Sequence, residues 1–149
     1  YKNLHIVTHS MGGIITRYCL MNYEFPNLKR VVMLGPPNKG SEMTDLLKNR
    51  WVYKKMFGRA GQEFVTTGYK DLIDKTTGYE LGVIAGDRTI SMGSLYIPGP
   101  DDGRVSVEST KLDWMNDFIV VHATHSFMMY NKKVKDQVLW FLKEGEFKR

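Results

Sequence analysis

The chain has one cysteine, Cys19, in 149 residues. No internal disulfide can form, so the fold has to be held by its core and its hydrogen bonds. Cys19 itself, between Tyr18 and Leu20, reads as a buried structural thiol. No run of 18 apolar residues occurs, which excludes a transmembrane helix, and no signal peptide is legible. The compartment stays open on these grounds, with a cytoplasmic setting favoured. The five prolines fall at 26, 36, 37, 98 and 100, which marks those places as loops. The charge excess is small, 21 − 16 = +5, and lies in short patches: Lys54-Lys55, Lys132-Lys133-Val134-Lys135 and Lys148-Arg149. These read as solvated helix faces. Without interleaved aromatics they do not make a nucleic-acid surface. They remain compatible with an anionic substrate or a membrane surface. Repeats and low-complexity tracts are lacking too, and the composition says nothing of oligomeric state.

The length fits one domain, and a chain of this size buries roughly 68–70% of its unfolded surface. Residues 4–8 (LHIVT) form a short apolar run rich in branched residues, read as a buried parallel strand. Residues 11–24 show helical spacing that stops before Pro26. Residues 29–34 (KRVVML) are a second strand, running into the rigid loop Gly35-Pro36-Pro37-Asn38-Lys39-Gly40. Strand, helix and strand within about 30 residues make a βαβ unit, hence a mostly parallel sheet flanked by helices, an α/β class. Residues 41–77 mix helical stretches, glycines and exposed-type aromatics, and are expected to be a helical cap insertion over a pocket. Residues 79–85 and 117–121 are further strands. The loop 86–103 between them is long, and 104–107 are expected to be extended. Residues 131–143 close the chain as an amphipathic helix, with Val134, Val138, Leu139, Trp140 and Leu142 expected inward.

The chemistry is concentrated at the strand ends. Strand, His9-Ser10-Met11-Gly12-Gly13, helix is the layout that holds a serine out of a sharp turn toward a substrate carbonyl. A serine hydroxyl needs a neighbouring base, and a histidine needs a carboxylate to fix its tautomer. The order Ser10, Asp102, His125 supplies all three. Asp101 is the alternative acid and His122 the alternative base. The backbone N–H of Met11 is a donor for the oxyanion. His9 reads as a packing residue or pocket wall, a substrate-binding candidate, and His5 as a satisfied core histidine. The Asp101-Asp102 pair has no ligand-spaced partners for a metal. This chemistry requires no cofactor and no metal.

HSMGG after a β-branched strand resembles the lipase and esterase branch of the α/β-hydrolase superfamily. VVMLGPPNKGSE, GPDDGRVSVEST and VVHATHSFMM are similar to the next strand, the acid loop and the histidine loop of bacterial lipases and lipid-anchor deacylases. The resemblance implies Asp102 as the acid and His125 as the base. It implies a serine hydrolase acting on a small-molecule ester or lipid through an acyl-enzyme. Thioesterase or acyltransferase activity would use the same residues, and a non-catalytic hydrolase-like binding module is the alternative from another class. Two departures stand out. Thr8 replaces the first glycine of G-x-S-x-G. The strands that precede the elbow in such enzymes, with the loop supplying a second oxyanion N–H, are not represented. The expectation is therefore the carboxyl-terminal part of one partial α/β-hydrolase domain over 1–149, with on the order of 60–100 residues lacking. On its own it is expected to be poorly stable or inactive, with the elbow strand left as a sheet edge.

Overall fold

The computed structural model describes residues 2–40, 78–90, 95 and 97–149. The cap expected at 41–77 lies outside them, as does part of the 86–103 loop. Four strands, β1 (Leu4–His9), β2 (Leu28–Leu34), β3 (Glu80–Gly86) and β4 (Asp117–Val121), form one sheet in the order β1-β2-β3-β4, every pair parallel. Helix α1 (Met11–Asn22) links β1 to β2, and α2 (Lys132–Glu144) follows β4.

The two middle strands read as unbroken apolar runs because both of their faces are covered. On one face Val32, Leu34 and Ile84 pack with Val134 and Phe141 of α2, and with Phe147 beyond it. On the other, Val31, Met33, Leu81 and Val83 pack with Leu112, Trp114 and Leu20 of α1. Full burial of one such side chain contributes roughly 1.5–3 kcal/mol. Gly82 sets how near α2 comes to the sheet: a Cβ there would stand 2.7 Å from Phe141 and 2.8 Å from Phe147.

Helix α2 starts where the Asn131 side chain accepts from the N–H groups of Lys133 and Val134. It stops at Gly145, which takes φ 88° and donates its N–H to the Phe141 carbonyl. Its inner stripe is Val134, Val138, Phe141 and Leu142, whereas Leu139 and Trp140 are exposed. This corrects the expected inner face. At 3.6 residues per turn a stripe through 134, 138 and 141 leaves 139 and 140 pointing outward.

Strand β1 differs from its neighbours. Among the described residues it pairs with β2 alone, and Leu4 and Val7 are exposed. Two further expectations fail there. Cys19 on the adjoining helix is half-buried, because it lies about 200° round the helix from the buried Arg17. The His5 Nδ1 is buried with no hydrogen-bond partner among the described residues. The expected extended piece at 104–107 contributes only the Asp101–Ser106 bridge, and a 3-10 turn, Glu108–Thr110, follows. There the exposed Glu108 carboxyl is pushed down to about 2 by hydrogen bonds from Lys111 and Lys39.

Candidate active site

The carboxyl ends of the strands carry the polar groups, as open α/β sheets commonly do. Ser10 sits between β1 and α1 with φ 55° and ψ −127°, the sole non-glycine at positive φ among the described residues. Such a conformation costs on the order of 1–3 kcal/mol and persists only where the surroundings enforce it. Here the Ser10 N–H donates to the Leu34 carbonyl at 2.8 Å, and its carbonyl accepts from the Gly13 N–H at 3.0 Å. Serine is a favoured helix N-cap, yet the Ser10 hydroxyl makes no cap bond. The turn aims it at His125 instead. The first turn of α1 holds no acidic residue, so no carboxylate offsets the positive helix end at Met11.

Small residues make this turn fit. A Cβ at Gly13 would lie 2.9 Å from Pro36 and 3.3 Å from Met33 Sδ. Gly12 faces Thr8, where a Cβ would make ordinary contact at 3.4 Å, so threonine is accommodated in place of the first glycine. The cost is the Thr8 hydroxyl, which is buried with no partner among the described residues.

Asp102 is built by its own loop. Its Oδ1 accepts from the backbone N–H groups of Arg104 at 3.0 Å and Val105 at 2.9 Å. Oδ2 is left to face His125 Nδ1, at 2.7 Å. Asp101 is also buried, but its Oδ1 accepts from the Gly103 N–H at 2.7 Å and holds the turn. Between the two acids that the residues left open, Asp102 is the one in contact with His125. His125 begins a 3-10 turn, His125–Tyr130, and its backbone N–H donates to the Asp102 carbonyl at 2.8 Å. Its Nε2 stands 2.8 Å from Ser10 Oγ. A carboxylate only accepts, so Nδ1 carries a proton, and in the neutral ring the bare Nε2 accepts from the serine hydroxyl. His122 points elsewhere: its Nδ1 is 2.9 Å from Asp87, in the open.

Three residues at this site are read from the sequence only as parts of loops, with no role in the site. Gly35, at φ 51°, passes beneath the acid–base pair, where a Cβ would lie 3.0 Å from Asp102 Oδ2 and 3.3 Å from His125 Nδ1. At Gly86 a Cβ would meet the Ala123 carbonyl at 2.4 Å and Asp102 at 2.8 Å. Both glycines close a strand, which was the available signal. Asn38 ties the loop after β2 to the acid loop, its amide donating to the Thr110 carbonyl at 2.8 Å. The buried Arg17 of α1 donates to the Asn38 carbonyl in turn, at 3.2 Å. His9 turns toward the histidine turn, its Nε2 2.9 Å from the His125 carbonyl. Its pKa is lowered, first by burial and next by the nearby His125. Among the described residues, no group of three His, Cys, Asp or Glu side chains is placed to hold a metal ion.

A strand–serine–helix turn on a parallel sheet, with a buried histidine and acid at the neighbouring strand ends, defines an α/β hydrolase. The chain belongs to the family described as alpha/beta hydrolase of unknown function (DUF915), whose model matches residues 1–145. The Bacillus licheniformis lipase BlEst2 in its mature form is similar in fold, with a TM-score of 0.72 at 21% identity. The match covers 95% of this chain and 64% of that one. The propeptide form of the same lipase matches with a TM-score of 0.67 at 20% identity, over 83% of this chain and 32% of that chain. Phospholipase PlaB from Legionella pneumophila matches at 0.51 and 24%, over 73% and 29%. The chain thus spans less than two thirds of the length of each. No curated protein matches it. Among the described residues, no helix is long and apolar enough to cross a membrane.

Proposed function

We propose that this chain carries the nucleophile, base and acid of a serine hydrolase that cleaves carboxylic esters through an acyl-enzyme. The observation that supports this most is the unbroken hydrogen-bonded line from Ser10 Oγ through the two ring nitrogens of His125 to Asp102, at 2.8 and 2.7 Å. His125 Nε2 takes the hydroxyl proton as Ser10 Oγ adds to the ester carbonyl. Asp102 stabilises the imidazolium that forms. The Met11 N–H donates to the oxyanion. Collapse breaks the bond to the leaving oxygen, and His125 returns the proton to that oxygen. Water, deprotonated by the same nitrogen, then releases the acid and restores Ser10.

A lipid or small ester is the favoured substrate class. A lipase and a phospholipase share the fold. Thioester hydrolysis and acyl transfer would begin with the same acyl-enzyme. The test is covalent. A fluorophosphonate probe is expected to modify the intact protein at Ser10, and Ser10→Ala is expected to abolish both labelling and p-nitrophenyl ester hydrolysis. A folded protein whose Ser10 stays unlabelled would favour the non-catalytic, ligand-binding alternative.

A further inference from the structure

We propose that His9 is a positioning residue for His125, its Nε2–H holding the His125 backbone carbonyl so that the ring stands at hydrogen-bond distance from Ser10. This rests on the reading of Ser10, His125 and Asp102 as nucleophile, base and acid. Two links join the elbow to the histidine turn, and they leave from adjacent residues. Ser10 Oγ meets the His125 ring at 2.8 Å, and His9 Nε2 meets the His125 carbonyl at 2.9 Å. The first link is remade and broken in every turnover, because its proton is the one transferred. The second contains no transferred proton and persists throughout.

The backbone of His125 is pinned from both sides. Its N–H donates to the Asp102 carbonyl at 2.8 Å, and its C=O accepts from His9. Thr124, before it, is extended, and the residues after it form a single 3-10 stretch. With both backbone groups fixed, the ring has little left to vary besides its side-chain torsions. Small displacements matter here: an error near 1 Å at reacting atoms can cost on the order of a hundredfold in rate.

The hydrogen bond also assigns a tautomer. A carbonyl only accepts, so His9 Nε2 bears the hydrogen. The groups that act on His9 are His125, Asp102 and Arg104. Burial and the charge of the His125 ring favour its neutral form, the hydrogen bond to the His125 carbonyl and the charge of Asp102 oppose them, and Arg104 adds to them, the balance lying on the neutral side. The rings of His9 and His125 are centred 4.9 Å apart at a tilt of 46°. A neutral His9 adds no charge beside the imidazolium that His125 becomes. A positive His9 would oppose it.

The experiment compares His9→Phe, which keeps a ring and loses the donor, with His9→Gln, whose amide N–H reaches about as far as Nε2. The second-order rate of fluorophosphonate labelling at Ser10 is measured from pH 5 to 9 in the intact protein, with a melting curve for each variant. His9→Phe is expected to slow labelling about 10- to 100-fold across the range. His9→Gln is expected to stay within about threefold of wild type. Wild-type labelling by His9→Phe, or equal losses in both variants, overturns the proposal while the serine-hydrolase reading stands. An unlabelled wild type removes both. Should His9→Phe not fold, the wild-type protein decides by ¹⁵N NMR of its histidine rings. The proposal expects a neutral His9 protonated at Nε2, and a His9 protonated at Nδ1 alone overturns it.

Discussion

Two histidines follow β4 three residues apart, and each faces an aspartate through Nδ1. His125 and Asp102 are separated by 2.7 Å, with side chains 5% and 0% exposed. His122 and Asp87 are separated by 2.9 Å, at 69% and 38%. By distance alone the two pairs are equivalent. They differ in what surrounds them. The Asp102 carboxylate accepts two backbone N–H groups before it meets its histidine, and two glycines clear the space around the pair. The far nitrogen of His125 has a serine hydroxyl in reach. His122 lines a groove of about 480 Å³ between β4 and α2, and none of the lining residues is Ser, Thr or Cys. A histidine–carboxylate contact thus becomes a candidate catalytic pair only when it is desolvated, held by the backbone and supplied with a nucleophile. In water the attraction is screened, and an exposed pair is worth about 0–1 kcal/mol.

The sharpest way to break the contrast is Asp102→Asn. The amide removes the charge that stabilises the imidazolium and no longer fixes the proton on Nδ1. Fluorophosphonate labelling of Ser10 is expected to fall on the order of 10³- to 10⁴-fold with the fold retained. Labelling at the wild-type rate would mean that the buried pair is structural.

Next in size is the space beneath the pair. Gly35→Ala places a methyl 3.0 Å from Asp102 Oδ2 on a backbone at φ 51°. The left-handed conformation costs roughly 1–2 kcal/mol for a residue with a Cβ, and the crowding adds to it. Denaturant unfolding is expected to show a loss of about 1–3 kcal/mol, with labelling slowed at least tenfold. Unchanged stability and labelling would show that the pair does not depend on close backbone approach.

How much of this was legible beforehand divides along the same line. Strands β2, β3 and β4 announce themselves as branched apolar runs, and α1 ends ahead of Pro26, because local propensity and burial agree there. The serine turn is legible for a similar reason: a strand, a serine and two glycines must be adjacent in sequence to build it. The roles of His122 and His125 are not legible in that way. Both follow the same strand, and what separates them is burial against Asp102 and Gly35, which lie 23 and 90 residues from His125. The His9 link joins residues 116 apart through a carbonyl that every residue possesses, so no residue type betrays it. Trp140 and Leu139 mislead in the opposite direction, since their apolar character suggests an inner face that helix geometry denies them.

A third carboxylate lies between the two extremes. Burial alone would raise the Asp117 pKa, but the Phe147 N–H, the Arg149 guanidinium and the Phe118 N–H outweigh it and hold the carboxyl below its ordinary value. The Phe147 N–H donates to its Oδ2 at 2.7 Å, which fixes the segment after α2 to the start of β4. A lowered folded pKa stabilises the protein above the unfolded value of 3.8, and that stability is lost as pH falls through the folded value. Asp117→Asn is therefore expected to be less stable than wild type at pH 7. The gap between their urea midpoints should shrink as the pH is taken below 3.8. A gap that does not change with pH would assign the effect to shape rather than charge.

The smallest expected effect tests the exposed pair directly. His122→Ala removes a ring that is 69% exposed and whose partner Asp87 stays hydrated. Its stability is expected to stay within about 0.5 kcal/mol of wild type, the usual range for surface substitutions. Ser10 labelling should stay within about twofold at any pH where His125 works as the base. The His122 backbone is untouched, so its carbonyl still accepts from the Asn131 amide at the start of α2. A large loss of labelling in His122→Ala would mean that His122 reaches the serine in solution. The choice between the two histidines would then have to rest on motion rather than on burial.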